Sequence, residues 1–346
     1  MKVAVGLSGG IDSGTTALML KEQGYEVIGV TMWLFDHQED EIETAAQISR
    51  LLNIEHHVLD YRKYFKEIVI SSFIDSYDQG HTPNPCITCN KVFKYGRLIE
   101  DSMALGADLF ATGHYARHAI HPSTGEHQLK KALNHRKDQS YNLYHLNQET
   151  LSRLIFPLGD ARSKEEVRDR FLAIHSGIAR KKDSLGICFI KRAGHELFLK
   201  ETESISMKPG NFIDQNGRIL GKHLGTANFT IGQKRKLGNG LSGNFVVIAL
   251  NPVTNEVVLG QESDLLHTSL VIEDFHLIEP SVADALTRSI EAVDVLLSQW
   301  SAVYPAKLSL KGSIAKLEFD TPVRAPAKGQ ALVCYQGDVL LGGGTI

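Results

Sequence analysis

Cysteine is scarce in this chain, with four in 346 residues. So few thiols over such a length make no disulfide framework, which excludes the small stapled folds of secreted domains. Long hydrophobic runs are missing as well, so no segment is apolar enough to span a bilayer as a helix. The opening MKVAVGLSGG shows neither the basic end, the apolar stretch nor the cleavage site of a secretion signal. Neither sign of charge dominates. The formal net charge of −3 gives no global reason to bind nucleic acid, yet leaves room for a local basic face. These absences point to a cytosolic protein with reduced thiols. What is present is ordinary for a globular chain: 42% hydrophobic and 22% charged residues, in a length that suggests two or three domains rather than one core.

The first half alternates strand and helix patterns. KVAVGL (2–7) is a short apolar run, followed by apolar residues at helical spacing in SGTTALMLKEQ and by Gly24 at a capping position. EVIGVTMW (26–33), EHHVLD and DLFATGH (108–114) read as further strands, with helical patterns between them and over 61–77 and 91–105. In SKEEVRDRFLAIH, Ser163 and Glu166 have the spacing of a capping box. Strands separated by helices of this length predict a doubly wound parallel sheet, an α/β fold. Past about residue 195, alternating runs separated by Asn-Gly, Pro-Val-Thr-Asn and Gln-Gly-Asp turns predict antiparallel sheet or small barrels.

VGLSGGIDSGT (5–15) joins the first strand to the first helix, at the carboxyl edge where such sheets bind ligands. Neither G-x-x-x-x-G-K-[ST] nor G-x-G-x-x-G fits it. Gly9 and Gly10 nevertheless let backbone N–H groups approach an anion, Ser8 and Ser13 offer hydroxyls, and a helix starting near Ser13 aims its positive end at the same point. Asp12 beside phosphate calls for a bridging divalent cation, so magnesium is implied. A plain turn with Asp12 or Ser13 as a helix cap is the competing reading. Ser-Gly-Gly-x-Asp-Ser at this junction favours phosphate, and it resembles the loop of the ATP pyrophosphatases, which cleave ATP to AMP and pyrophosphate.

TPNPCITCN (82–90) carries Cys86 and Cys89, read as a proline-braced loop. A structural zinc site would need a second C-x-x-C, which the sequence lacks. A thioredoxin-like redox pair is less natural because Cys89, rather than Cys86, sits just before the predicted helix. A third reading makes one of the pair a catalytic thiol working with Cys188 in KKDSLGICFI. Cys89 would gain thiolate character from the helix end and from Lys91 and Lys94, and Cys188 from Lys181 and Lys182. Cys188 as merely the first residue of a core strand is an equal alternative on local grounds. Cys334 in ALVCYQG reads as a small apolar residue in a sheet.

GLSGGIDS, TPNPCITCNKVFKYG, ATGHYAR, KDQSYNLYHL, FPLGDARSKEEVR, KKDSLGICFI, GKHLGTANFTIGQKRKLG and LLGGGTI, in that order from residue 6 to the last residues, resemble the tRNA-specific 2-thiouridylase family. The resemblance implies an adenine nucleotide alpha hydrolase-like domain (1–195), a small central tRNA-contacting domain (196–262) and a C-terminal antiparallel β-barrel (263–346). It implies sulfur transfer to the wobble uridine of tRNAs, those for Lys, Glu and Gln, with a cysteine desulfurase or sulfur-relay protein as donor. Gly6, Leu7, Ser8, Gly9, Gly10, Ile11, Asp12 and Ser13 would hold ATP, with magnesium at Asp12, and Met32 and Gly113 would lie on the adenine side. Cys188 matches the persulfide carrier and Cys89 the nucleophile that releases the sulfur through a transient disulfide. Asn84, Pro85 and Cys86 match the segment at the target base; His114, Lys137, Asp138, Gln139 and Gln330 match tRNA-contacting positions.

Two departures stand out. Many relatives have aspartate, a candidate proton shuttle, where this chain has Cys86. Either another group or Cys86 itself serves that role, or Cys86, Cys89 and Cys188 together hold an iron–sulfur cluster with an open iron that carries sulfide. A basic element expected in the last domain reads here as SAVYPAKLSL (301–310). The rival readings are an amide-forming ATP pyrophosphatase, which has no use for the two thiols, and a 4-thiouridine synthase, which usually has an RNA-binding domain ahead of the glycine loop.

Overall fold

The structure is a computed structural model that describes residues 1–346 apart from 173–176, 178–185, 191–196, 200–207, 239, 242 and 325–326. The N-terminal part opens with β1 (Lys2–Gly6), α1 (Ile11–Glu22), β2 (Glu26–Trp33), α2 (Glu39–Leu52) and β3 (Glu55–Asp60). Two long helices follow, α3 over 62–78 and α4 over 85–104, each with a π-helical stretch in its middle (Lys66–Ile70 and Asn90–Arg97). Next come β4 (Leu109–Thr112), a hairpin of β5 (Ala116–Ile120) and β6 (His127–Lys131), α5 (Gln148–Ser152), β7 (Leu154–Ile155) and α6 (Lys164–Leu172).

Five of these strands form a parallel sheet in the order β3–β2–β1–β4–β7. The two-residue period of β1 explains the winding. Val3 and Val5 point into a core with α1, α2 and Phe171 of α6, whereas Ala4 points into the opposite core with Phe65, Phe73 and Phe93 of α3 and α4. Both faces are covered, as the unbroken apolar strands predict. Gly24, at φ +86°, ends α1 as its position in the sequence suggests.

The central part is a four-stranded sheet of β8 (Gly210–Ile213), β9 (Ile219–His223), β10 (Val246–Asn251) and β11 (Glu256–Gly260), around Phe212, Phe229, Val247 and Val257. The last part comprises β12 (Leu266–Ile272), β13 (His276–Leu277), β14 (Glu291–Leu296), β15 (Tyr304–Lys311), β16 (Ile314–Arg324), β17 (Ala331–Gln336) and β18 (Val339–Thr345). Its strands run β12–β16–β15–β14–β17–β18, and β13, continuing from β12, pairs with β18, so the sheet closes on itself as a barrel. Gly342 and Gly344 lie on that seam. A Cβ on Gly342 would meet the His276 carbonyl oxygen at 2.1 Å, and one on Gly344 would meet Ile272 at 2.4 Å. Cys334 is fully buried in the barrel, as its alternating context suggests.

The β5–β6 hairpin departs from a simple division of the chain. It lies within the first 195 residues yet joins the barrel sheet through Val339 and Lys130. An Arg117–Asp338 ion pair (2.8 Å) and a hydrogen bond from Gln128 to Glu279 (2.9 Å) fasten it there. Nothing in local alternation distinguishes a strand that pairs within its own domain from one lent to another.

Candidate active site

The glycine loop lies where β1 gives way to α1, at the carboxyl end of the sheet. Gly9 has φ +69°, and a Cβ there would meet the Glu41 carbonyl oxygen at 2.4 Å, so only glycine fits. Gly10 is the N-cap and α1 begins at Ile11, two residues earlier than the sequence suggests. Asp12 therefore lies in the first turn. Ser13 turns inward: its hydroxyl donates to the Gly10 carbonyl (3.0 Å) and accepts from the Ser8 N–H (3.1 Å). It braces the loop, while Ser8 stays exposed. Gly113, just after β4, presses on the same turn; a Cβ there would come within 2.8 Å of Asp12 and Ser13 backbone atoms. Met32, near the end of β2, is half-buried and packs against the main core.

Sequence reasoning missed what Asp12 does. Lys164 Nζ lies 2.6 Å from both of its carboxylate oxygens, and the Tyr115 hydroxyl donates to one of them at 2.8 Å. The lysine side chain is only 7% exposed, against 33% for the aspartate. Burying an ammonium is costly unless it is paired. The charge that seemed to demand a divalent cation is already balanced by protein. One signal was available, since a lysine in the first turn of a Ser-capped helix opposes the helix dipole. The cap itself is present, with the Glu166 N–H donating to Ser163 (3.1 Å). A hydrogen bond from Thr15 to the Val167 carbonyl (3.1 Å) fixes α6 against α1.

The cysteine segment also differs from expectation. TPNPCITCN is not held out of regular structure: Asn84 caps α4, its side chain accepting from the Cys86 N–H at 3.1 Å, and Pro85 is the first helical residue. Proline is pre-organised for that position, where its missing N–H costs nothing. Cys86 therefore sits at the positive end of the helix and Cys89 one turn further in, the reverse of the predicted placement. Cys89 is half-buried, Cys86 and Cys188 are exposed, and all three are free thiols. Cys188 is positioned by its neighbour. Phe189 packs edge-on against Phe65 at 5.7 Å, and Phe65 packs against Phe93, one turn beyond Cys89, at 5.7 Å. Cys89 and the neighbour of Cys188, Phe189, thus pack in one aromatic cluster.

Desolvation by the surrounding protein opposes the predicted thiolate character. Desolvation pushes the Cys89 thiol up to about 11 against a weaker opposing pull from Lys94. It pushes Cys188 up to about 12, with charge on Cys89 and then Cys86 adding to the rise, and raises Cys86 as well. At neutral pH these groups are protonated thiols that sense one another. Lys181 and Lys182 lie outside the described residues. Among the described residues no three His, Cys, Asp or Glu side chains group as metal ligands.

The remaining sequence candidates brace the site. His114 Nδ1 is 2.8 Å from the Tyr95 and Thr112 hydroxyls, and burial, then Lys94 and His145, holds the ring well below the usual histidine range. Asp138 accepts from the Ala132 N–H (2.8 Å) and the Ser140 hydroxyl (2.8 Å), and Gln139 accepts from the Tyr115 N–H (3.1 Å). They stiffen the segment that aims Tyr115 at Asp12; Lys137 is half-buried beside them. Gln330 donates to the Thr82 carbonyl at 2.6 Å, and the Thr82 N–H donates to the Lys328 carbonyl at 2.7 Å, tying the barrel to the segment before Asn84. Asn142, unmarked by any motif argument, accepts from Asn84 (3.2 Å) and donates to Gln299 (2.9 Å) on the β14–β15 loop. The barrel thus reaches the site just ahead of the segment 301–310.

Three family models match the chain in order. They are described as a tRNA methyl transferase HUP domain over residues 1–192, a tRNA methyl transferase PRC-barrel domain over 196–261 and an aminomethyltransferase beta-barrel domain over 268–346. The chain is 40% identical over 360 residues to the tRNA-specific 2-thiouridylase MnmA of Clostridium perfringens, covering 100% of this chain and 98% of that protein. It is 42% identical over 346 residues to the same-named protein of Syntrophomonas wolfei, covering 100% of both. Among solved structures, the U34-tRNA thiolase NcsA from Methanococcus maripaludis with its [4Fe-4S] cluster superposes at a TM-score of 0.36 and 21% identity, over 59% of this chain and 65% of that one. That overlap is too loose to bear on cofactor or mechanism here.

Proposed function

The chain belongs to the tRNA-specific 2-thiouridylase family, and we propose that it replaces oxygen 2 of the wobble uridine of tRNA with sulfur, consuming ATP and releasing AMP and pyrophosphate. Residues 6–13 would cradle the phosphates, with Met32 and Gly113 on the adenine side. Uracil oxygen 2 attacks the α-phosphorus and pyrophosphate leaves, which turns a poor leaving oxygen into AMP. The outer sulfur of a persulfide on Cys188 adds to carbon 2 and AMP departs. Cys89 then attacks the inner sulfur, leaving the outer one on the base and closing a Cys89–Cys188 disulfide.

The observation that carries this reading is convergence at one edge of the sheet. Asp12 touches Gly113; the adjoining His114 bonds Tyr95; and Tyr95 lies on the helix that carries Cys86 and Cys89. The family models speak of methyl transfer and the curated relatives of 2-thiouridylation. The glycine loop and the full-length likeness to the curated relatives favour the second, because methyl transfer from a sulfonium donor does not consume ATP in the transfer step. The anticodon bases of tRNA can be splayed from their stack, and the Pro85-started helix is a stiff receiver for one.

Burial has a mechanistic consequence. Thiols held protonated do not attack indiscriminately, so sulfur must arrive as a persulfide, which ionises more readily, and Cys89 acts once negative charge has left with AMP. The sulfur donor is a cysteine desulfurase or a relay protein, and the tRNAs are those for Lys, Glu and Gln. Magnesium, which neutralises ATP phosphates when bound, would find Asp12 as a carboxylate ligand, with the Lys164 ammonium beside it. The alternative, an iron–sulfur cluster on Cys86, Cys89 and Cys188, is removed by protein that is purified without oxygen and found to contain no iron. The decisive test is mass spectrometry of tRNA nucleosides after incubation with ATP, magnesium and a sulfur source. 2-Thiouridine at the wobble position, with AMP as co-product, is the expected outcome; ADP, or unmodified uridine from an ATP-binding protein, overturns the proposal.

A further inference from the structure

Resting on that thiolation reading, one thiol is left without a task. The cycle uses Cys188 to carry sulfur and Cys89 to release it, and it ends in a disulfide that leaves Cys188 unable to accept the next sulfur. Cys86 is not needed for any of these steps. It lies three residues before Cys89 on the same helix, and side chains at that spacing share a face with Cβ atoms about 5–6 Å apart. It also occupies the second helical position, its N–H taken by Asn84, where the dipole favours an attacking thiolate over the deeper position of Cys89. Cys86 is exposed while Cys89 is half-buried. A C-x-x-C pair with its first cysteine at the exposed start of a helix is the arrangement that exchanges disulfides. The placement expected from sequence, with Cys89 at the helix start, argued against that role, and the structure removes the objection.

We propose that Cys86 is the resolving thiol. After giving its proton to solvent it attacks Cys89 Sγ of the Cys89–Cys188 disulfide; a Cys86–Cys89 disulfide forms and Cys188 leaves as thiolate, ready to be recharged. The exchange conserves electrons. The two electrons that regenerate the free pair come from an external dithiol reductant, which reaches Cys86 at the surface.

The test is a disulfide map of the whole protein, quenched in acid during turnover with tRNA, ATP, magnesium and a Cys188 persulfide formed by sulfane-sulfur transfer from a cysteine desulfurase persulfide, alkylated, and analysed without reduction. No lysine or arginine falls between residues 67 and 90, so trypsin leaves Cys86 and Cys89 on one peptide, two hydrogens lighter when bridged. The wild-type protein should show that internal bridge with Cys188 alkylated. C86S should instead accumulate the Cys89–Cys188 bridge, and its steady turnover with a dithiol should fall by about tenfold or more, the scale of losing an intramolecular nucleophile. A wild-type protein holding Cys89–Cys188 while Cys86 alkylates freely overturns the proposal, as does C86S turning over like wild type. Full turnover in C86D also overturns it, in favour of a carboxylate's proton role. Oxidation of the resting protein with oxidised glutathione asks the same question without RNA. There a bridged Cys86–Cys89 supports the exchange and a bridged Cys89–Cys188 with free Cys86 opposes it, so its failure is separable from failure of thiolation.

Discussion

The two ends of the cleft are built on opposite plans. At the nucleotide end the loop is held in shape by its own contacts: Ser13 closes the loop, Gly9 is wedged against Glu41, and Asp12 is held by Lys164 and Tyr115. At the sulfur end three thiols stand unbridged, all pushed toward the protonated form. The first arrangement is pre-organised for charge that arrives with a ligand. The second stays inert until charge is brought to it. A sulfur-transfer enzyme has reason for both, because a thiolate loose in water would oxidise or react before the base was activated.

Removing sulfur chemistry should break this contrast most sharply. C188S and C89S should each lower 2-thiouridine formation by about a thousandfold or more while ATP affinity is unchanged, as nucleotide titration and nucleoside mass spectrometry would show. Thiolation surviving in either variant removes the two-thiol mechanism. K164A comes next. It leaves Asp12 partly buried and uncompensated, so AMP release should drop and unfolding free energy should fall by about 1–3 kcal/mol, less than a fully buried pair because the aspartate rim is open. D12N in the K164A background should restore stability but not AMP release; no recovery in denaturant melts would show that the pair is not the cause. G9A forces a side chain into φ +69° and onto the Glu41 carbonyl, which should cost about 1–3 kcal/mol and weaken ATP binding. An ATP affinity equal to wild type would show that the loop need not hold this shape.

The smallest effect expected is on pH. Cys89 titrates near 11 when folded and near about 8.5 when unfolded, so the native state binds the extra proton between those values. The stability this contributes is complete below about pH 8.5 and declines as pH climbs toward 11, while alkylation of Cys89 accelerates over the same interval. C89S should flatten that decline. Rapid alkylation at neutral pH would mean an open thiolate and erase the contrast between the two ends.

Much of the nucleotide end was legible in sequence, because backbone geometry writes itself in glycines: Gly9 at its positive φ and Gly113 under the first turn of α1 leave no room for a side chain. The parallel sheet was legible for a similar reason, since strands buried on both faces read as unbroken apolar runs. The sulfur end was harder to read. Whether Pro85 stops a helix or starts one depends on Asn84 turning back to cap it, and the same letters fit both outcomes. Thiol character was misjudged because lysines adjacent in sequence are visible and the aromatic floor of Phe65, Phe93 and Phe189 is assembled only in three dimensions. Lys164 and Asn142 stayed hidden because their partners, Asp12 and Gln299, lie more than a hundred residues away.

The most direct measurement is a single turnover with α-labelled ATP and enzyme carrying labelled sulfur on Cys188, counting products per tRNA. One AMP for each 2-thiouridine formed, with C188S still transferring AMP to tRNA but no sulfur, is the result that joins the two ends in one reaction. Sulfur transfer without ATP, or AMP release that does not depend on tRNA, would contradict it.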